Sequence, residues 1–246
     1  MIAVMTVVAV IPARWGSSRL PGKPLCDLGG EPMIRWVHRL TSQAALVDRV
    51  LVATDDRRIA RAVTEFGGEV VMTSPDHPNG TSRVLEALGD IPCDGVVNVQ
   101  GDEPFMDPAL VDQVARCLKE RPEFPMISLR HPLASEDESN PDRVKVVVDR
   151  YDRALYFSRS PIPYRRQKSA VMFGHIGIYG YRRDFLSRYV SLESTPLSES
   201  ESLEQLRVLE SGYTILVPLA KGHHGFGIDS PADLERARAL IREERV

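Results

Sequence analysis

Residues 7–24 read Val-Val-Ala-Val-Ile-Pro-Ala-Arg-Trp-Gly-Ser-Ser-Arg-Leu-Pro-Gly-Lys-Pro, an apolar run followed by a loop rich in glycine and proline. The loop carries three cations, Arg14, Arg19 and Lys23, within ten residues. Like charges this close repel one another unless an anion lies among them, and α/β proteins bind ligands on loops that follow buried strands. The stretch therefore predicts a first strand and a phosphate-binding loop.

The spacing in this loop excludes a Walker A motif, which places four residues between its first glycine and the Gly-Lys pair and then requires Ser or Thr. Here Gly16 and Gly22 bracket five residues, and Pro24 follows Lys23. We therefore expect a loop that binds phosphate with side chains as well as backbone, and not a P-loop NTPase.

The composition of the 246 residues is that of a globular protein, with 43% hydrophobic and 26% charged residues. A net charge of -3 argues against nucleic-acid binding, and the apolar residues 1–11 are too short to span a membrane. Cys26, Cys93 and Cys117 share no short spacing, which indicates buried thiols in a reducing compartment. We expect a cytoplasmic protein with no nucleic-acid partner and no membrane insertion.

Short apolar runs alternate with segments of helical period in the first half, which predicts an α/β fold with a mostly parallel sheet in one compact domain. The strands are expected at 7–11, 50–53, 70–72 and 95–99, and the helices at 32–42, 57–66, 82–88 and 108–119. The second half is less regular, with strands at 144–148, 154–157, 176–181 and 215–218 and helices at 184–190, 203–210 and 229–242.

A second cluster lies where the apolar strand at 96–99 ends in the adjacent carboxylates Asp102 and Glu103. Carboxylates at the end of a parallel strand suit Mg²⁺, which usually takes one or two protein carboxylates and substrate phosphates. The alternative is an acidic turn that caps the helix beginning at Pro108. Asp107 already suits that cap, which leaves Asp102 for another role.

Asp229 ends the short stretch Gly-Phe-Gly-Ile-Asp at 225–229, where a helix cap is an equally good explanation for one acidic residue. Together with Asp102 and the three cations of the loop, it would form a minimal set for metal-assisted transfer on a nucleotide.

Weaker signals come from the polar turn 76–83 and from single residues beside predicted elements. Arg159 and His175 lie next to buried strands and could bind an acid or pair within a subunit interface. Glu204 and Gln205 project away from the apolar face of their helix, where a solvated surface is the simpler explanation. The adjacent residues 223 and 224, both histidine, suit one metal poorly, so no zinc site is expected.

Motifs along nearly the whole chain resemble the 3-deoxy-manno-octulosonate cytidylyltransferase family. They include residues 11–25, Val-Ala-Thr-Asp (52–55), Asn-Gly-Thr-Ser-Arg (79–83), Val-Asn-Val-Gln-Gly-Asp-Glu-Pro (97–104), Ala-Leu-Tyr-Phe-Ser-Arg (154–159), His-Ile-Gly-Ile-Tyr (175–179), Leu-Glu-Gln-Leu-Arg (203–207) and residues 227–235. The resemblance implies a three-layer, Rossmann-like nucleotidyltransferase fold with a mostly parallel mixed sheet and a small β-rich insertion for dimerisation and the acceptor. In one domain, residues 1–120 would bind the nucleotide, 121–225 the sugar acid and the second subunit, and 226–246 would hold a metal ligand and the last helix.

The same resemblance implies transfer of CMP from CTP to 3-deoxy-D-manno-octulosonate (KDO), with release of pyrophosphate, for lipopolysaccharide biosynthesis. The anomeric hydroxyl would attack the α-phosphate in line. The family is Mg²⁺-dependent, cytoplasmic and homodimeric. Rival functions are a CMP-sialate synthetase, a sugar-1-phosphate nucleotidylyltransferase and a catalytically silent nucleotide-binding regulator.

Motif matches also imply roles for single residues. Catalysis would rest on Arg14, Lys23, Asp102 and Asp229, the last two as Mg²⁺ ligands. The nucleotide contacts would be Pro12, Ala13, Arg14, Ser17, Ser18, Arg19, Lys23, Thr81, Arg83 and Gln100. The sugar-acid contacts would be Gln100, Arg159, His175, Tyr179, Glu204 and Gln205, with Arg159 on the carboxylate of the acid.

Three departures from the family pattern lie on the acceptor side. Residues 196–202 are Pro-Leu-Ser-Glu-Ser-Glu-Ser, Gly174 stands where Lys or Arg is common, and the segment 164–173 is short. These departures leave 8-amino-8-deoxy KDO, or a sialic acid, as an alternative acceptor.

Overall fold

A computed structural model describes residues 5–16, 19–167, 171–222 and 225–244. Ser17 and Ser18, expected at the nucleotide, and residues 223–224 lie outside the described residues. The strands are β1 (Val7–Ala13), β2 (Asp27–Leu28), β3 (Glu31–Pro32), β4 (Arg49–Thr54), β5 (Glu69–Met72), β6 (Gly95–Asn98), β7 (Met126–Pro132), β8 (Lys145–Val148), β9 (Ala154–Ser158), β10 (Phe173–Arg182) and β11 (Ile215–Leu216).

One mixed sheet of nine strands forms the centre of the described structure, in the order β11-β7-β10-β6-β1-β4-β5, with β8 paired to β10 and β9 paired to β8. Strands β6, β1, β4 and β5 are parallel to their neighbours in this series. Strand β10 runs antiparallel to both β6 and β7. The mostly parallel sheet expected from the alternating pattern is confirmed, and the ends of β1 and β6 meet at one edge.

Helices cover both faces of the sheet. They are α1 (Met33–Thr41), α2 (Arg57–Glu65), α3 (Gly80–Leu88), α4 (Pro108–Glu120), α5 (Arg183–Ser191), α6 (Pro196–Glu201), α7 (Leu206–Glu210) and α8 (Pro231–Glu244). Apolar residues of α1, α2 and α4 form one core. Those of α3, α5 and α7 form a second core on the opposite face. This is the three-layer arrangement expected.

Helix caps fix the loops that carry functional residues. Asp56 accepts a hydrogen bond from the Arg58 amide at the start of α2, and Asp107 accepts one from the Ala109 amide at the start of α4, both over 2.8 Å. A capping carboxylate satisfies an amide that has no partner within the helix. Asp107 is therefore the cap of α4. This agrees with the sequence analysis, which left Asp102 for another role.

The second half adds a small antiparallel extension to the sheet. Strands β8 and β9 form a hairpin, and β8 pairs with β10 through Lys145 and Gly174. Among the strands and α-helices, β2, β3, β7 and α6 were not predicted, and α7 begins at Leu206 where a helix from 203 was expected. All three cysteines are free thiols, as expected, but they are partly exposed where buried thiols were predicted. In the part of the chain that the structure describes, no helix is both long and apolar enough to cross a membrane.

Candidate active site

A cavity of about 370 Å³ lies at the carboxyl ends of β1 and β6. It gathers residues that are far apart in the sequence and that the motifs had singled out. These are Pro12, Ala13, Arg14, Arg19, Lys23, Arg83, Gln100, Asp102, Glu204 and Asp229. The cavity therefore combines the phosphate-binding loop, both predicted metal ligands and two of the predicted sugar-acid contacts, Gln100 and Glu204.

The phosphate-binding loop turns back at Gly22, which has a φ of 69°. The Gly22 amide donates to the Trp15 carbonyl over 3.1 Å, and a Cβ on Gly22 would lie 2.8 Å from the Trp15 ring. Glycine adopts this left-handed conformation without the strain that a Cβ causes. The guanidinium of Arg58, a residue of α2, packs 3.3 Å from the centre of the Trp15 ring. The turn brings Lys23 to the cavity.

Lys23 lies between the two predicted metal ligands. Its Nζ is 2.7 Å from Asp102 Oδ2 and 3.0 Å from Asp229 Oδ1, and the guanidinium of Arg19 is 3.3 Å from Asp229. Burial alone lowers the pKa of Lys23, but the carboxylates of Asp102 and Asp229 outweigh it, so the pKa lies above its ordinary value. Lys23 is therefore a stable cation at the point where the two carboxylates converge.

The segment before α8 brings Asp229 alongside Asp102. The Ile228 amide donates to the Asp102 carbonyl over 2.9 Å, and Ile228 is fully buried against α8. A Cβ on Gly227 would lie 3.2 Å from Glu103 Oε1, so glycine allows the two segments to approach closely. At the start of α8 the Asp233 amide donates to Ser230 Oγ over 3.2 Å. Ser230 is therefore the cap, and Asp229 is free to face Lys23.

Glu103 is a third acid beside this pair. Burial, together with the negative charges of Asp102 and Asp229, raises its pKa to about 8. Glu103 is thus mostly protonated near pH 7, which limits the negative charge that the cluster carries.

The two carboxylates fit a magnesium ion that completes its coordination with substrate and water. Among the described residues no group of three or more His, Cys, Asp and Glu is arranged to hold a metal. Mg²⁺ differs from zinc in needing only one or two protein carboxylates, because phosphate oxygens and water supply the rest. Asp102 and Asp229 form a set of this kind, with oxygens that converge on a single cation, Lys23.

The turn before α3 forms another wall of the cavity. Arg83 is 3% exposed and pairs with Asp55 over 2.8 Å and with the Thr73 hydroxyl over 2.6 Å. Its guanidinium thus serves to hold the wall in place. His77, Pro78 and Asn79 also line the cavity and were not predicted as site residues. The polar turn 76–83 was the signal that pointed to them.

The predicted acceptor residues are only partly brought together. Glu204 lines the cavity, whereas Gln205 is 4% exposed, and Thr81 of the nucleotide set is 5% exposed. Arg159 donates to the backbone carbonyls of Glu201 over 2.8 Å and Pro141 over 3.1 Å.

His175 and Tyr179 are residues of β10, and their rings belong to a layer of aromatic side chains on this strand. His175 Nε2 is 2.8 Å from Ser128 Oγ, and burial lowers its pKa to about 3. The Tyr179 ring packs between His175 and Tyr181 at centroid distances of 5.5 and 6.2 Å. Neither residue, nor Arg159, is among those that line the cavity. Their roles toward a sugar acid stay predictions.

Known proteins are similar to this chain in both sequence and fold. A family model described as cytidylyltransferase matches residues 8–215. A 3-deoxy-manno-octulosonate cytidylyltransferase of Syntrophotalea carbinolica is 49% identical, over 97% of this chain and 99% of its own length. One of Escherichia coli is 45% identical, over 96% of each chain.

The solved structure of a CMP:2-keto-3-deoxy-manno-octonic acid synthetase complexed with CTP superposes with a TM-score of 0.94, at 45% identity, covering 97% of this chain and 99% of that one. A 4-diphosphocytidyl-2C-methyl-D-erythritol synthase from Anaerococcus prevotii, 16% identical with a TM-score of 0.65 over 97% and 99% of the two chains, shares the fold alone. The cavity, its cations and its paired carboxylates thus lie in an enzyme fold with nucleotidyltransferase relatives, and the chain belongs to the 3-deoxy-manno-octulosonate cytidylyltransferase family of nucleotidyltransferases.

Proposed function

We propose that this enzyme transfers CMP from CTP to KDO and releases pyrophosphate, which activates KDO for lipopolysaccharide biosynthesis. The observation that carries the proposal is the convergence of Lys23 and Arg19 with Asp102 and Asp229 in one cavity. The similarity of this chain to the structure of a synthetase complexed with CTP supports the choice of nucleotide.

The cations of the phosphate-binding loop would hold the triphosphate. Arg14, Arg19 and Lys23 all line the cavity, and the Arg19 side chain is 65% exposed, so it is free to exchange its contact with Asp229 for a phosphate. The anomeric hydroxyl of the sugar acid then attacks the α-phosphorus in line, and the bond to pyrophosphate breaks without a covalent enzyme intermediate. Lys23 and Arg19 stabilise the negative charge on the departing pyrophosphate.

Asp102 and Asp229 would hold Mg²⁺ as ligands. When bound, the ion supplies charge neutralisation at the phosphates and orients them. The two carboxylates also hold the Lys23 ammonium in place. Substrate binding would therefore reorganise one charged cluster that is already assembled.

The acceptor is proposed to bind on the side of Glu204, with Arg159 toward its carboxylate and Gln100, His175, Tyr179 and Gln205 around it. Glu204 and Gln100 line the same cavity as the loop cations, which supports an acceptor site adjoining the phosphates. A carboxylate and an amide are suitable partners for the several hydroxyl groups of a sugar acid.

We further propose that the enzyme acts as a homodimer in the cytoplasm. Tyr151 and Leu155 on the β8–β9 hairpin are each 61% exposed, and Tyr164 is 89% exposed. Large exposed apolar side chains that are close in the sequence are candidates for an interaction surface. The free thiols agree with a reducing compartment. Light scattering of the purified enzyme tests the dimer, and a monomeric mass at micromolar concentration would contradict it.

The decisive experiment measures pyrophosphate release with CTP, UTP or ATP against KDO, 8-amino-8-deoxy KDO and sialic acid. We expect rapid release with CTP and KDO in the presence of Mg²⁺ and loss of release with a chelator. Preference for the amino sugar or for sialic acid would reassign the acceptor. Release only with a sugar 1-phosphate would reassign the reaction, and no release with any acceptor would favour a silent nucleotide-binding protein.

A further inference from the structure

A series of buried polar groups begins at Gln100, on the wall of the cavity. Gln100 Nε2 donates to Asn98 Oδ1 over 3.2 Å, and Asn98 Nδ2 donates to Thr81 Oγ1 over 3.4 Å. Asn98 is fully buried and Thr81 is 5% exposed. The series therefore passes from the end of β6 into α3, below the surface of the cavity.

Two tyrosines continue the series toward the acceptor side. Tyr181 of β10 hydrogen-bonds Thr81 and Tyr189 of α5. Burial raises the pKa of Tyr181, whose hydroxyl lies between Thr81 and Tyr189 in the core. Tyr189 in turn donates to Glu204 Oε2 over 3.2 Å. The series ends on a carboxylate that lines the cavity.

This arrangement is unusual for the centre of a core. Tyr181 is fully buried and Tyr189 is 2% exposed, in positions where phenylalanine would fill the same space. Buried hydroxyls are unfavourable unless each one is hydrogen-bonded, so a series of four buried groups requires every link to be in place. The one member with an exposed charge is Glu204, whose side chain is 48% exposed.

Arg207 supports the same carboxylate from a second side. Its guanidinium packs 4.5 Å from the centre of the Tyr189 ring, and one of its nitrogens is 3.8 Å from Glu204 Oε2. The Arg207 side chain is only 12% exposed. Tyr189 and Arg207 thus restrict where Glu204 Oε2 can lie.

We infer that Tyr189, with Tyr181 behind it, is a positioning residue that holds Glu204 so that its carboxylate accepts hydrogen bonds from the hydroxyl groups of a sugar acid. This inference rests on the proposed function of the cavity. Tyr189 acts on the acceptor only through Glu204, because its hydroxyl is occupied between Tyr181 and that carboxylate. The main effect is expected on the acceptor, because Tyr189 contacts Glu204 directly and reaches the predicted nucleotide contacts Thr81 and Gln100 only through Tyr181.

The test compares Tyr189→Phe with the wild-type enzyme in steady-state pyrophosphate release. Losing a hydrogen bond to a charged group should raise the KM for KDO by roughly tenfold, with the KM for CTP and kcat within about twofold. Tyr213→Phe is the matched control, because Tyr213 packs on Phe185 of the same helix outside the series. The control should leave all three constants unchanged.

A double-variant cycle distinguishes positioning from a general effect on the core. If Tyr189 acts through Glu204, then Tyr189→Phe combined with Glu204→Gln should have the same KM for KDO as Glu204→Gln alone. Multiplication of the two effects would overturn the inference. Tyr181→Phe combined with Tyr189→Phe also removes the Tyr181 hydroxyl, which Tyr189→Phe alone would deprive of a partner, and gives a second route if the single variant folds poorly.

The outcomes separate this inference from the proposed function. A wild-type enzyme that is inactive with KDO overturns both. An active wild-type enzyme with an unchanged KM for KDO in both tyrosine variants overturns only the positioning role, as does an equal rise in the KM for CTP.

Discussion

The phosphate-binding loop reaches the cavity from a single segment directly after β1, whereas the acceptor side is assembled from β6, β10, α5 and the residues before α7. On the nucleotide side the charges pair with one another: Lys23 contacts Asp102 and Asp229, and those side chains are partly exposed. On the acceptor side, the guanidinium of Arg159 contacts backbone carbonyls.

This difference indicates how the two sides respond to substitution. Partly exposed charges that pair with each other can exchange partners when a ligand arrives, so changing one should alter chemistry more than folding. Polar groups held by the backbone or by the core are part of the fold, so changing one should affect acceptor binding and stability together. The predictions below test this contrast.

The largest effect is expected on the nucleotide side, for Asp102→Asn and Asp229→Asn. Each substitution removes a charge that would hold Mg²⁺ and that holds Lys23 in place, so kcat should fall by roughly 100-fold or more. Asp102→Asn should be the more severe, because Asp102 is 31% exposed and Asp229 is 51% exposed. Pyrophosphate release at saturating CTP, KDO and Mg²⁺ measures the change.

Asp90→Asn is the control for this pair, since Asp90 is exposed in the turn before β6, at the opposite edge of the sheet. Its turnover should equal that of the wild-type enzyme. Near-normal turnover of Asp102→Asn at saturating Mg²⁺ would contradict the metal assignment and would weaken the contrast between the two sides.

On the acceptor side, Arg159→Lys should raise the KM for KDO by about tenfold and leave the KM for CTP within twofold. Lysine keeps the charge but loses the paired donors with which guanidinium binds a carboxylate. Separate titrations of the two substrates measure this split. Arg153→Lys is the matched control, because Arg153 forms an exposed ion pair with Asp149 in the β8–β9 turn.

The structure supplies the rival explanation for Arg159. Its guanidinium donates to the Glu201 and Pro141 carbonyls, so it could serve only to join these segments. In that case Arg159→Lys would lower the melting temperature and raise both KM values equally. An effect on KDO alone, with unchanged stability, would support contact with the acceptor carboxylate.

The same contrast explains what could be predicted from the sequence. Arg14, Arg19 and Lys23 follow a buried strand within a few residues, and Asp102 follows another, so strand order alone places them at one edge. Strand β7 was missed because Ser128 and Arg130 interrupt its apolar pattern. Their partners are distant in the sequence: Ser128 Oγ donates to the Ile178 carbonyl, and Arg130 pairs with Asp152.

Helix α6 was missed for a related reason. It has only six residues, which is too short for a helical period to show in the sequence or for a helix to be stable alone. Glu210, the last residue of α7, accepts hydrogen bonds from the Leu197 and Ser198 amides at the start of α6. Pairings of this kind depend on the completed fold, and they are concentrated on the acceptor side.

A smaller effect is expected in the pH dependence of stability, through His175. Burial lowers the pKa of His175 from 6.5 to about 3, so the unfolded chain binds a proton between these pH values and the folded one does not. The stabilisation by neutral His175 is therefore complete above pH 6.5 and is lost as the pH falls toward 3. The contribution should be about 1 kcal/mol per pH unit in this window.

Urea denaturation at pH 7.5, 6.5, 5.5 and 4.5 measures this dependence, with His175→Gln for comparison. Protonation of carboxylates at low pH also lowers the free energy of unfolding, in both proteins. The test is therefore the difference between the wild-type protein and the variant. The wild-type free energy of unfolding should fall more steeply than that of the variant below pH 6.5. If the two free energies of unfolding changed with pH in parallel, His175 would accept a proton in the folded protein without destabilising it.

The smallest effect is expected for Gly174→Ala, which tests how tightly the acceptor-side sheet is packed. A Cβ at this position would collide with His131 Nε2 and lie 2.9 Å from Leu133 Cδ1, so the His131 ring must turn away. The turn would break the 2.9 Å contact between His131 Nδ1 and the Pro132 carbonyl and cost about 1 kcal/mol. Gly177→Ala, on the same strand with no atom within 4 Å of its Cβ, is the matched control and should be neutral. Combining Gly174→Ala with His131→Ser should restore most of the lost stability, because serine removes the colliding ring. A Gly174→Ala variant as stable as Gly177→Ala would mean that His131 is free to move, and that this part of the acceptor side can rearrange as readily as the charges around Lys23.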